Sequence, residues 1–422
     1  MRLLTALFAV SLALAPAVAG ADDTTSTTPA PLVSLDRLAQ EARARVGAVA
    51  RVPLGEATNV VEPSYVRAFG QLPHAAKPFA ELVDAVLHRG TLPGSLKAAM
   101  GLRIAQINHS PYVAAHMRRL LEATSEGRML LAAVGADTLM SLDATGHYGI
   151  RYADLLTRSI HGVTPEMFAR TRGAFNDAEI VELTVTTAFF NFFTRFAEAL
   201  RLPVEPSVLD GSAPLPARSE PRAAPRTSRA RVGLLSDETI LATAAALETA
   251  KQQAGQRAGW GIGMANSMRA MLQAPELALP WRAFGTVFRE KETVGRDIKL
   301  QVSFAVSMAN ECRYCTLHQV LGLRRLGIDP GKLVAMKKDD TALTPREAVA
   351  VRFARKVTMA PGEVSDADYA TLRQEFGEAG ALEVLVQTCT FAFMNRFTDG
   401  LMLPSEDEAV RVYQETYGST WP

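Results

Sequence analysis

Between Asp297 and Ala309, apolar residues fall at helical spacing, with Ile298, Val302, Ala305 and Ala309 three or four positions apart. Phe304, Met308 and several small residues make the same segment apolar almost all round, which predicts a central, closely packed helix. Thr344-Pro345-Arg346-Glu347 reads as a helix start, with a Thr cap, Pro at the first helical position and Glu three residues after the cap. Ser365 followed by Asp366 and Asp368 reads as another. No segment alternates with a period of two between hairpin turns. The predicted fold class is all-α.

The chain also repeats itself. Asn108-His109-Ser110-Pro111-Tyr112-Val113-Ala114-Ala115-His116 lies over Asn310-Glu311-Cys312-Arg313-Tyr314-Cys315-Thr316-Leu317-His318 at an offset of 202 residues. The same offset pairs Lys97 with Lys299, Arg67 with Arg269, Pro73 with Pro275, Pro78 with Pro280, and Phe79 with Trp281. Nearer the ends the offset is 201, where Glu182 meets Glu383, Arg195-Phe196 meets Arg396-Phe397, and Leu202-Pro203 meets Leu403-Pro404. A tandem duplication is expected: helical domains over 33–203 and 235–405, a Pro-, Ala- and Arg-rich linker over 204–234, and a C-terminal tail over 406–422.

Arg2, the apolar run Leu3–Ala15 and Ala17-Val18-Ala19 form a charged start, an apolar stretch and a small-residue cleavage site. Residues 1–21 are therefore expected to be a signal peptide and 22–32 a polar tail. The mature chain is expected to be exported, to the periplasm in a Gram-negative cell, and free of the membrane after cleavage. A net charge of +1 over 422 residues supplies no field that would gather nucleic acid or anionic surfaces. The linker arginines (Arg218, Arg222, Arg226, Arg229, Arg231) read as a solvated strip, and Gly259-Trp260-Gly261-Ile262-Gly263 follows no strand that would make it a nucleotide loop.

Candidate chemistry lies with the cysteines, of which there are three. Cys389 sits in a late apolar helix and reads as core. Cys312, Cys315 and His318 follow one another at three-residue steps, within an arc of roughly 120° on one helical face. Pro111 stands where Arg313 stands in the second copy. Proline belongs in a first turn, so helices are expected to start near Asn108 and Asn310, with the Asn as cap. Cys312 would then lie in a first turn, where the helix dipole favours a thiolate. Three uses of the pair stay open: dithiol redox chemistry, a metal site, and a stabilising disulfide. Zinc would want more ligands than these, no metal or cofactor is expected, and the disulfide would close too small a loop to stabilise much. Arg195 and Arg396 recur in both copies and read as structural salt bridges rather than a substrate clamp.

The segment Asn310–His318, followed by Leu321 and Gly327, resembles the carboxymuconolactone decarboxylase-like superfamily, which includes alkyl hydroperoxidase D. The resemblance extends over most of each copy and implies helical bundles that form homo-oligomers. It implies a peroxiredoxin-type enzyme that reduces a small hydroperoxide and is recharged by a thiol reductant. By resemblance, Cys315 is the attacking thiolate, Cys312 the resolving thiol and His318 part of a proton relay. The family's relay glutamate falls at Leu300, leaving Glu311 and Asp297 as substitutes. Copy 1 has Ser110 and Val113 at the cysteine positions and cannot do dithiol chemistry. A cysteine-independent lactone decarboxylase or isomerase, with His116 as acid or base, and a non-catalytic partner-binding pseudoenzyme are the alternatives.

Overall fold

Helices recur in the same order in the two halves of the chain. The computed structural model describes residues 31–56, 62–213, 231–236, 238–240, 265–290, 293–338, 340–419 and 421. The expected signal peptide, the glycine-rich 259–263 segment and most of the linker lie outside these residues. Among the described residues there is no strand, so the all-α expectation holds.

The first half carries α1 (Pro73–His88), α2 (Gly94–Asn108), α3 (Pro111–Glu122), α4 (Ala144–Arg158) and α5 (Asp177–Leu200). The second carries α6 (Pro275–Glu290), α7 (Arg296–Ala309), α8 (Arg313–Arg325), α9 (Pro345–Met359), α10 (Asp366–Gly400) and α11 (Asp407–Tyr417). The expected starts at Thr344 and Ser365 are both present as reciprocal caps: Thr344 Oγ1 accepts the N–H of Glu347 while the Glu347 carboxylate accepts that of Thr344. The long α10 is interrupted at Gly377, whose φ of 70° only glycine adopts at little cost. The expected C-terminal tail is in fact the ordered helix α11, packed on α8.

From Leu32 onward the chain forms one compact unit. Helix α5 packs along α10, and α1 along α6. An aromatic seam fills the space between the halves: Phe79 meets Phe284 at 5.2 Å, Phe192 meets Trp281 at 6.3 Å, and Trp281 stacks on Phe393 at 3.7 Å. Rings of this size bury 150–250 Å² each, so the seam dominates the contact energetically.

Arg195 and Arg396 lock that seam in a reciprocal exchange. Arg195 on α5 donates through Nη2 to Thr358 O near the end of α9, at 3.2 Å. Arg396 on α10 donates to Thr157 O near the end of α4, at 3.3 Å. The expected salt bridges are absent among the described residues, because each guanidinium instead satisfies carbonyls in a last helical turn, where the dipole favours a cation. Burial pulls the Arg195 pKa down to about 10 and that of Arg396 further, with the charge of Arg195 adding to the effect. Arg231 does not lie in a solvated strip: it donates to Gly400 O and Val163 O and so ties the two halves together.

A second repeated device holds the loops before α2 and α7. Buried Glu182 accepts from the N–H groups of Thr91 and Leu92 and pairs with Lys97 at 2.5 Å. Buried Glu383 accepts from Thr293 and Val294 and pairs with Lys299 at 3.0 Å. Removing one member strands the other charge in a dry site. Lys299→Met should lower unfolding stability by about 3–5 kcal/mol, read from the shift of a urea midpoint at constant slope. A loss under about 1 kcal/mol would mean that water reaches Glu383.

Candidate active site

The sulfur positions follow from how α7 ends. Its last turn runs into Asn310, Glu311 takes a left-handed φ of 59°, and the Cys312 N–H folds back to Ser307 O at 2.9 Å. Helix α8 then starts at Arg313 with Cys312 as its cap, whose Sγ accepts the N–H of Cys315 at 3.3 Å. The first half has the same turn: His109 at φ 52°, Ser110 as cap accepting from Val113, and Pro111 at the first helical position. The expected Asn caps are thus displaced by two residues. The preceding helix claims the asparagines, and their amides reach across instead, Asn310 to Asn395 Oδ1 at 2.8 Å and Asn108 to Asn191 Oδ1 at 3.1 Å.

Cys312 and Cys315 come together as expected. Both thiols are free and buried, at 0% and 3% exposure. Each Sγ lies 3.4 Å from Thr398 Oγ1 on α10, and that hydroxyl donates to Met394 O at 2.9 Å. With its proton so committed, Thr398 offers lone pairs to the sulfurs, which suits two S–H donors.

Asp399, the next residue, brings its carboxyl near the Cys312 thiol and the Arg313 and Tyr314 N–H groups. Burial raises that carboxyl from 3.8 to about 6, opposed by the charge of His161 and by these neighbours. Its Oδ2 has no hydrogen-bond partner among the described residues. The expected ionisation of Cys312 is therefore reversed. Burial, then the hydrogen bond and charge of Cys315, then the charge of Asp399, push its thiol well above the ordinary value, with only the Thr398 contact opposing. A helix terminus supplies at most about 2 kcal/mol, whereas burial shifts buried groups by up to several pKa units.

His318 follows on α8 but does not hydrogen-bond either thiol. Nδ1 lies 2.7 Å from Tyr314 O, Nε2 lies 2.5 Å from Glu406 Oε2, and the ring stacks on Tyr314 at 4.2 Å. Glu406 Oε1 also accepts from Tyr314 Oη and from the Asn266 N–H. Burial opposes ionisation of Glu406, but the hydrogen bond to His318 and the N–H of Asn266 outweigh it and hold the carboxyl at about 2. Both nitrogens thus face oxygen atoms of the protein.

The proposed relay substitutes lie elsewhere. Glu311 is exposed in the turn, Asp297 is exposed in the first turn of α7, and neither is hydrogen-bonded to His318 or the thiols. The acids that do reach the site are Asp399 and Glu406, which the sequence reading missed. The repeat held the signal: at the 201 offset they stand over Glu198 and Glu205. Glu198 accepts from Ser110 Oγ at 2.7 Å and pairs with Arg45, while Glu205 pairs with His116 at 2.9 Å. His116 therefore does have a partnering acid.

Among solved structures, the chain is similar to two of the debrominase Bmp8. A cysteine-to-alanine variant in complex with 2,3,4-tribromopyrrole matches with 17% identity and a TM-score of 0.37, covering 43% of this chain and 95% of that one. The apo form matches with 18% identity and a TM-score of 0.36, covering 43% and 96%. At these values the similarity carries no information on chemistry. A scan against family models and a search of curated proteins return no match.

Removing the Asp399 charge should ease ionisation of Cys312. In Asp399→Asn, alkylation of Cys312 at pH 8, followed by mass spectrometry, should quicken by about threefold or more. An unchanged rate would show that burial alone sets the thiol. The acids also give opposite stability slopes. Glu406, lowered from 4.5 to about 2, contributes stability that is present above 4.5 and lost as pH falls towards 2. Asp399, raised from 3.8 to about 6, contributes stability in the acid form that is lost as pH rises through about 6. Urea midpoints against pH should lose the first slope in Glu406→Gln and the second in Asp399→Asn.

Proposed function

We propose that the chain is an exported, thiol-dependent peroxidase whose second half cycles Cys312 and Cys315 between dithiol and disulfide. One observation carries the reading: two free thiols, one at a helix cap and one in the first turn behind it, meet on a single hydroxyl beside a carboxyl of raised pKa. The resemblance of Asn310–His318 to alkyl hydroperoxidase D supports the same chemistry, as does the replacement of both sulfurs in the first half by Ser110 and Val113.

With Cys312 held protonated, Cys315 is the attacker. Its thiolate sulfur bonds to one peroxide oxygen, the O–O bond breaks, and the departing alkoxide takes up the proton that Cys315 released. Cys315 is left as a sulfenic acid. Cys312 then attacks that sulfur, the S–S bond forms, and the hydroxyl leaves as water with the Cys312 proton. Asp399 is placed to take and pass on that proton, because a carboxyl at about 6 exchanges it readily near neutrality. A thiol reductant restores the dithiol by exchange. His318 and Glu406 fix the start of α8 rather than touch the sulfurs: through Tyr314 they tie this helix to α11. The recurrence of the helices and their hydrogen bonds supports a tandem duplication in which the first half stands in for a second subunit.

Hydroperoxide consumption driven by a dithiol reductant should fall to background in Cys315→Ser. Cys312→Ser should turn over once and leave a sulfenic acid at Cys315 that dimedone traps. Consumption that survives Cys315→Ser would sink the proposal.

A further inference from the structure

The first half, without cysteines, has a cavity of about 660 Å³. It opens between α1, α3 and the segment after α5. The size is that of a small-molecule site. Most of the wall is apolar, with Val66, Val83, Leu87, Leu120 and Phe193 among its residues. Into this wall are set His116, Tyr65 and His88.

The unusual feature is what these groups leave unused. His116 Nε2 lies 2.9 Å from Glu205 Oε2, yet its Nδ1 has no hydrogen-bond partner among the described residues. The counterpart nitrogen of His318 is taken by Tyr314 O at 2.7 Å. The rings differ accordingly: His318 lies nearly flat on Tyr314, at 19°, while His116 is tilted 44° from Tyr112. Tyr65 Oη and both ring nitrogens of His88 likewise have no hydrogen-bond partner among the described residues. Protein groups of this kind, half-buried on an apolar wall, are costly to leave unpaired unless something binds there.

Their protonation states narrow what that is. Burial opposes ionisation of Glu205, but the hydrogen bond and charge of His116 and the N–H of Ser64 bring its carboxyl down to about 2. As a carboxylate it accepts from Nε2, and Nδ1 is left open at the cavity wall. Burial, with the charges of Glu205 and Asp84, raises the Tyr65 phenol, so its hydroxyl remains a donor. Burial lowers His88, which keeps it neutral. The Tyr65 and His116 rings are 6.3 Å apart, centre to centre. A single hydroxyl between them can pair with His116 Nδ1 and accept from Tyr65 Oη. At the wall the carboxylates of Glu62, Asp84 and Glu205 outnumber the guanidinium of Arg119, which donates to Ala213 O, and so disfavour an anion.

We propose that this cavity binds a small, neutral, ring-shaped alcohol or phenol, its hydroxyl held between His116 and Tyr65 and its apolar frame against Val83, Leu120 and Phe193. The site is separate from the dithiol and does not depend on its activity. His116 and Tyr65 bind the ligand, and Glu205 is a positioning residue that holds the His116 ring through Nε2.

Isothermal titration calorimetry on the full chain with 4-methylphenol as probe tests this. Saturable binding with a Kd on the order of 100 μM is expected for so small a molecule. Toluene, the same frame without the hydroxyl, should bind about tenfold more weakly, and 4-methylbenzoate should not compete. Ala80→Trp, which fills the cavity from α1, should abolish binding while alkylation of Cys312 and Cys315 and the thermal melt stay as in the parent. Tyr65→Phe, which keeps the ring, should weaken 4-methylphenol severalfold and leave toluene unchanged. No saturable binding to the parent chain, equal affinity for toluene, or binding that survives Ala80→Trp in a protein with an unchanged melt would each overturn the proposal. None of these outcomes touches the peroxidase reading, which stands or falls on Cys315.

Discussion

Glu311 sits in the left-handed region, and the placement of both sulfurs depends on that one residue. A non-glycine residue pays roughly 1–2 kcal/mol to be there. In return the chain leaves α7 and enters α8 within three residues, with the Cys312 N–H satisfied by Ser307 O. Were α7 to continue one residue further, Cys312 would lie inside a helix rather than at a cap. Its Sγ could then no longer accept the Cys315 N–H while also touching Thr398 and Asp399. His109 holds the same conformation in the first half and puts Ser110 in the same role. The turn is therefore a property of the scaffold, and the chemistry is decided by what the cap residue carries.

That division runs through two pairs of equivalent positions near the cap. A carboxylate from the late helix meets the cap residue in both halves, Glu198 at Ser110 and Asp399 at Cys312. In the first half burial raises its pKa too, but Arg45 pairs with it and the cap is a hydroxyl. In the second half the carboxyl keeps a raised pKa beside a thiol. The His–Glu pairs diverge in the opposite sense. His318 has both nitrogens engaged and serves to hold α8 on α11, while His116 keeps one nitrogen free at a cavity wall. Equivalent positions thus engage their neighbours differently in the two halves.

Much of this was legible in the sequence, and the omissions have physical causes. The all-α class, the starts at Thr344 and Ser365 and the closeness of Cys312 to Cys315 follow from local rules, because caps and helical spacing act over a single turn. The position of the α8 cap does not, since it depends on where α7 stops, and Asn310 is drawn into that helix by Asn395 on α10. The direction of the Cys312 shift was missed for a similar reason. The dipole is local and visible, while burial under α10 is neither, and burial is the larger effect. Asp399 and Glu406 were readable as acids repeated over Glu198 and Glu205. A boundary drawn at residue 405 turned Glu406 into tail, and attention to residues near the cysteines in sequence favoured Glu311 and Asp297, which face solvent.

The reciprocal arginines explain why the thiol site belongs to the whole chain rather than to its second half. Arg396, Thr398 and Asp399 lie within one turn of α10. A rotation of that helix large enough to release Arg396 from Thr157 O would carry Thr398 and Asp399 away from α8. Thr157 belongs to the first half, so the first half sets the rotational register of the helix that covers the sulfurs. Arg195 does the same in return through Thr358 O. Two buried guanidinium groups without a carboxylate are an expensive way to join two halves. The expense is offset because each cation meets the negative end of a helix and orphan carbonyls that need donors in any case. The same fixation places a His161 charge from the first half near Asp399, which draws its carboxyl down against burial. The first half, with Ser110 and Val113 at the equivalent positions, therefore still takes part in shaping the site around Cys312 and Cys315.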